Sequence, residues 1–123
     1  MTEAEALEAL HSREPIFHRP EFGTSRADFE RMIDNGFWEV GASGRVYDRT
    51  FVLDELAKRH SAPHEDKWEV RDFSCRYLGG QIFLATYLLK QGPRESRRST
   101  LWRYDSRGWT AIYHQGTLVS KAS

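Results

Sequence analysis

Arg98-Ser99-Thr100-Leu101-Trp102-Arg103-Tyr104-Asp105-Ser106-Arg107-Gly108-Trp109-Thr110-Ala111-Ile112-Tyr113-His114-Gln115-Gly116-Thr117 is the stretch that decides the fold. Residues 98–104 and 109–115 read as two strands rich in aromatic and β-branched side chains, the residues that fit a pleated sheet. Between them, Asp105-Ser106-Arg107-Gly108 is a hairpin turn with glycine late, where positive φ is usual. Strict alternation along the second strand places Thr110, Ile112 and His114 on one face. It places Trp109, Ala111, Tyr113 and Gln115 on the other.

Working back from this hairpin, residues 82–91 form an apolar strand and residues 68–78 another, joined by Gly79-Gly80. A loop over residues 92–95 precedes the final hairpin, and the basic run from Arg94 to Arg98 reads as solvated. The first half of the chain has helical signals. Thr2 and Glu5 have capping-box spacing, and Ala4, Leu7, Leu10 and His11 share one helical face. Glu14-Pro15 stops that helix, because the residue before proline avoids the helical region. Ser25 and Asp28 repeat the capping signature, with Phe29, Met32 and Ile33 as the buried stripe and Asn35-Gly36 as the stop. Residues 37–40 and 45–47 form a short hairpin around Gly41-Ala42-Ser43-Gly44. Asp48 then caps a third helix to about Arg59, with Val52, Leu53, Leu56 and Ala57 on its apolar face. Helices followed by a run of strands define an α+β domain, with the helices packed on one face of an antiparallel sheet.

The chain has 123 residues, which predicts a single domain over residues 1–123 that buries roughly two-thirds of its unfolded surface. Aromatics supply 13% of residues, so large flat side chains must carry much of the core. A formal net charge of +0 argues against a nucleic-acid partner, which calls for a basic excess. Cys75 is the single cysteine, so no internal disulfide forms, and a reducing cytoplasmic setting is expected. No apolar run is long enough to cross a bilayer, and residues 1–5 lack a signal-peptide layout, so no membrane partner is expected.

This element order resembles the nuclear transport factor 2-like superfamily, also called SnoaL-like. The residues that carry the resemblance are Phe37-Trp38-Glu39-Val40-Gly41 and Ser43-Gly44-Arg45-Val46-Tyr47-Asp48-Arg49, with Ser99-Thr100-Leu101-Trp102, Gly108-Trp109 and His114-Gln115-Gly116-Thr117. They resemble in particular the branch described only as a domain of unknown function. The resemblance covers nearly the whole chain. It implies a cone: a curved antiparallel sheet wrapped on three N-terminal helices, the cystatin-like α+β roll, with a pocket inside. The superfamily holds isomerases, cyclases, dehydratases, ligand binders and interaction modules, so the fold does not settle function. Steroid isomerases of the superfamily use a pocket tyrosine from the first helix, whereas Tyr47 is the earliest tyrosine here. Its polyketide cyclases use an acidic residue on a late strand, where this chain offers His114.

Two residues are candidates for acid–base chemistry. His114 titrates near neutral pH when unperturbed. Glu39, if it points into the cone, becomes a base through a raised pKa. Their plain alternatives are a hydrogen-bonded core histidine and an ion pair of Glu39 with Arg45 or Arg49. Candidate ligand contacts are Trp38, Tyr47, Asp72, Tyr87, Trp102 and Gln115, against plain aromatic packing or, for Asp72, an exposed edge position. His60 and His64, with Glu65 and Asp66, lack the helical geometry that a metal pair needs because Pro63 intervenes. No metal and no cofactor is expected, and no phosphate loop or nucleophile elbow is present. Three readings stand: a small-molecule pocket for an apolar or aromatic ligand, a homodimer joined through the sheet face as an interaction module, and a lyase, isomerase or cyclase using His114 or Glu39.

Overall fold

The computed structural model describes residues 1–59 and 67–120. Among these residues the elements run α1 (Glu3–His11), a 3-10 turn (Pro20–Phe22), α2 (Arg26–Met32), β1 (Ile33–Val40), β2 (Val46–Asp48), α3 (Arg49–Arg59), β3 (Glu69–Gly79), β4 (Ile82–Gln91), β5 (Arg94–Asp105) and β6 (Gly108–Leu118). The strands form one curved sheet in the order β2-β1-β6-β5-β4-β3. All pairs are antiparallel except β1 with β6, which run parallel. That pair corrects the expectation of a wholly antiparallel sheet. Parallel neighbours need a long crossover, and the chain between β1 and β6 supplies it.

Both capping boxes form. Thr2 Oγ1 accepts from the Glu5 N–H while the Glu5 carboxylate accepts from the Thr2 N–H. Ser25 and Asp28 make the same exchange. Asp48 caps α3 by accepting from the Phe51 N–H at 2.9 Å. The buried face of α1 is Ala6 and Leu10, not the expected stripe through Ala4 and Leu7. The small alanine lets α1 sit close against the sheet and turns Leu7 to solvent. On α3, Val52, Leu53 and Leu56 are buried as expected, while Ala57 is exposed.

Two strand boundaries differ from expectation. Asn35-Gly36 does not stop α2: Ile33 is already extended, and residues 34–37 form an irregular stretch inside β1. Residues tolerant of unusual dihedrals serve a bulge as well as a helix end. Strand β5 begins at Arg94, because Gln91 pairs with Arg94 and the expected loop shrinks to Gly92-Pro93. Gly92 has φ 62°, which suits the first position of a tight hairpin turn. The basic run is therefore a strand rather than a solvated loop, and Ser96, Arg98, Thr100 and Trp102 lie on one face of it.

The decisive irregularity is in β6. Leu101 pairs with Tyr113, but the next residue, Trp102, pairs with Ala111. Ile112 is thus an extra residue, a bulge that reverses the alternation. Trp109, Ala111, His114 and Gly116 all face inward, which corrects the grouping of His114 with Thr110 and Ile112. The inner face packs on the helices through a core that includes Leu10, Phe29, Ile33, Phe37, Leu53, Phe83, Trp102 and Trp109. Burying each such side chain is worth about 1.5–3 kcal/mol. Trp109 packs edge-on against Phe83 at 5.3 Å and Trp102 at 6.4 Å. No helix among the described residues is long and apolar enough to cross a membrane.

Candidate functional site

The strand register assembles one row of side chains across four strands. Tyr47 on β2 pairs with Glu39 on β1, Glu39 with His114 on β6, and His114 with Thr100 on β5. Tyr47, Glu39 and His114 line a cavity of about 410 Å³ between these strands, α3 and the loop after α1. Phe17 and Phe51 add aromatic wall, and Phe51 stacks on Tyr47 at 4.7 Å. Phe17 holds φ 73°, an uncommon conformation for an aromatic residue that costs of order 1–3 kcal/mol. It keeps its ring between Phe29 and Phe37 on one side and the cavity on the other.

Arg98 forms the polar floor. Its Nε donates to Ser96 Oγ at 3.0 Å, and its Nη1 lies 3.3 Å from His114 Nε2. No carboxylate of the described residues forms an ion pair with it, and burial pulls its pKa down. Gly116 sits directly opposite Arg98 on β6 and leaves room for the guanidinium. Arg59 and Arg94 stand with it around the cavity. Glu39 is half-buried, and burial raises its pKa against the opposing pull of Arg98 and Arg59. The alternative ion pair does not form: Arg49 instead donates to the backbone carbonyls of Asp34 and Glu30.

His114 is almost fully buried, with Nδ1 2.9 Å from Thr100 Oγ1. Burial, then the charges of Arg98 and His18, lower its pKa to about 3. The imidazole is therefore neutral through the physiological range, which corrects the expectation that it titrates near pH 7. With its pKa so lowered, the ring is a weak base near neutral pH.

Behind the floor lies a carboxylate that sequence reasoning missed. Glu14 is fully buried. Its Oε1 accepts from the Tyr87 hydroxyl and the Ile16 N–H, both at 2.8 Å, and its Oε2 from Trp102 Nε1 at 3.0 Å. Burial raises the Glu14 pKa against the pull of these donors and of nearby Thr100. Tyr87 and Trp102 thus serve Glu14 and do not line the cavity. Trp38 and Gln115 lie on the outer face: Trp38 packs on Tyr113 at 4.5 Å, and Gln115 accepts from the Tyr113 hydroxyl at 2.8 Å. Asp72 is exposed at a bulge of edge strand β3, with φ 56°. Of the sequence candidates the cavity gathers His114, Glu39 and Tyr47; Arg98, Ser96, Gly116, Phe17 and Phe51 join them unforeseen. Arg98 was legible only as a charged residue in phase with Thr100 and Trp102.

Cys75 is a buried core thiol with its pKa raised by burial. Among the described residues no group of three His, Cys, Asp or Glu side chains could hold a metal ion. The metal reading of His60 and His64 lies outside the described residues.

The sequence matches no family model and no curated protein. Solved structures do match. One is a nuclear transport factor 2-like protein from Cytophaga hutchinsonii, with TM-score 0.74 and 9% identity, covering 97% of this chain and 100% of that one. Another is a protein of unknown function of the DUF3225 family from Pectobacterium atrosepticum, with TM-score 0.68 and 17% identity over 96% of this chain and 91% of that one. A third is an uncharacterised protein with a cystatin-like fold from Caulobacter vibrioides, with TM-score 0.67 and 15% identity over 96% and 88%. The chain has the nuclear transport factor 2-like fold, an α+β roll of the cystatin-like kind.

Proposed function

We propose that this protein binds a small carboxylate in the cavity, with the anion on Arg98 and an apolar or aromatic body against Phe17, Tyr47 and Phe51. The observation that supports the reading is the half-buried Arg98 guanidinium, whose side-chain contacts are Ser96 and His114 and which no carboxylate of the described residues touches. Glu39 and Glu14 act on this charge only from a distance, and an anionic ligand in direct contact offsets more of its desolvation cost. A guanidinium has five N–H donors, and two of them are used here. The remainder suit a planar carboxylate bidentately. No reaction is assigned, because the neutral His114 supplies little acid or base strength.

Calorimetric titration with phenylacetate and its neutral analogue 2-phenylethanol tests this reading. Saturable binding of phenylacetate, absent for the alcohol and lost in Arg98→Met, is expected. A thermal-shift panel extends it to other carboxylates, sterols and neutral aromatic metabolites. Stabilisation by sterols or neutral aromatics alone, with no carboxylate active, would overturn it.

A second reading concerns the outer face, and the two are compatible. Trp38, Tyr113, Leu101 and Leu84 pair in sequence across four strands, forming an apolar row with Trp38 45% exposed. A two-fold contact between two copies would cover it. Size-exclusion with light scattering should give a dimer, converted to monomer by Trp38→Glu. A wild-type monomer at micromolar concentration would rule it out.

A further inference from the structure

The polar groups behind the cavity form a chain whose hydrogen-bond directions can be worked out one by one. Arginine only donates, so at the 3.3 Å contact Arg98 Nη1 gives the proton and His114 Nε2 accepts. A neutral imidazole has one N–H, so Nδ1 must carry it and donate to Thr100 Oγ1 at 2.9 Å. The Thr100 hydroxyl then turns its own proton to Glu14, its remaining side-chain partner. Glu14 ends the chain as a pure acceptor. It takes the Tyr87 hydroxyl, the Ile16 N–H and the Trp102 indole N–H. An ionised carboxylate offers about four lone-pair sites, so one remains toward which the Thr100 hydroxyl can turn.

We propose that Thr100, backed by the buried Glu14, is a positioning residue for the anion site, acting through His114 to aim Arg98. With Nε2 accepting from Arg98, Thr100 Oγ1 accepts from the Nδ1–H and its own proton is left to turn toward Glu14. The ring is held in the Nδ1–H form with the Nε2 lone pair toward the cavity. That lone pair and Ser96 Oγ take two guanidinium protons and fix its plane, leaving the outer donors for a ligand. In the opposite tautomer an Nε2–H would face the Nη1–H, donor against donor, and Arg98 would be driven off its seat. An outer partner that sets a histidine tautomer is known to tune the group the histidine serves. Thr100 does not line the cavity, yet the arrangement of the floor depends on it.

The inference rests on the carboxylate reading for its ligand, but its first test does not. Long-range ¹H–¹⁵N spectra of the imidazole distinguish the two tautomers directly. Wild type should show His114 protonated at Nδ1. Glu14→Gln places an amide among three buried donors and endangers folding, so Thr100→Val serves as the main variant and Thr100→Ser as the rescue. Thr100→Val should shift His114 toward the Nε2–H form and weaken phenylacetate binding on the order of tenfold. Thr100→Ser should restore both. An Nε2–H ring in wild type, or unchanged tautomer and affinity in Thr100→Val, would overturn the proposal. A wild-type protein with the Nδ1–H ring and the Thr100→Val shift, but no carboxylate binding, supports the positioning chain and defeats the ligand reading alone.

Discussion

Gly116 lies opposite Arg98 across the β5–β6 ladder, and a Cβ built on it would stand 3.2 Å from Arg98 Nε and 3.4 Å from its Cδ. The space over this glycine is where the guanidinium stem rests. In Gly116→Ala the neighbour must give by a few tenths of an ångström, and the flexible Arg98 side chain is what gives. Alanine is also favoured over glycine in a strand by roughly 0.5–1 kcal/mol. The variant is therefore expected to melt at or slightly above wild type while binding phenylacetate several-fold more weakly. Paired melting and titration would check this; weaker binding with a lower melting temperature would point instead to general damage.

Trp102→Phe keeps most of the ring volume but removes the indole N–H that serves Glu14 Oε2. A buried carboxylate lone pair is then left without its donor. The expected loss of stability is about 1–3 kcal/mol, with Tyr87→Phe losing a similar amount at Oε1. Because both donors serve one carboxylate, the double variant should depart from additivity. Urea denaturation of the four proteins would measure it. A Trp102→Phe loss below about 0.5 kcal/mol would mean that the indole bond has no energetic role.

Ser25→Ala removes one half of the α2 capping box, so the Asp28 N–H loses its acceptor. This helix has only seven residues, and its first turn depends on that exchange. A loss of about 1 kcal/mol is expected, read as a lower urea midpoint at unchanged slope. Phenylacetate affinity should not move, since α2 does not line the cavity.

These cases separate what the sequence could tell from what it could not. Capping boxes and the Asp105–Gly108 turn are short-range chemistry, written in residues three apart, and they formed as read. The side on which His114 lies depended on one extra residue, Ile112. A bulge without glycine leaves no mark in the alternation. Glu14 was invisible for a different reason. Its donors Tyr87 and Trp102 stand 73 and 88 positions away, so nothing near it in the chain announces a buried carboxylate. Arg98 was hidden in a run of arginines and serines that resembles a solvated loop. The two-residue turn at Gly92-Pro93 starts β5 early and brings Ser96 onto the inner face beside it.

Acidification should expose the neutral His114 in the stability of the protein. Its folded pKa is about 3, below the ordinary 6.5. Between those values the unfolded chain binds a proton that the folded chain does not. Its contribution is fully present above 6.5 and is lost as pH falls toward 3. The slope is about 1.4 kcal/mol per pH unit where the unfolded histidine is protonated. Glu14 works in the opposite sense: its folded pKa is raised by burial, so protonation favours the folded state as pH drops through that value. Wild type alone would report the sum. The difference between wild type and His114→Gln, in urea unfolding at about pH 7, 6 and 5, isolates the imidazole. Glutamine can still accept from Arg98 but does not titrate. The wild-type curve should fall more steeply with acid, by nearly one proton taken up on unfolding. Parallel curves would mean that the ring accepts a proton in place, and that Arg98 does not hold Nε2.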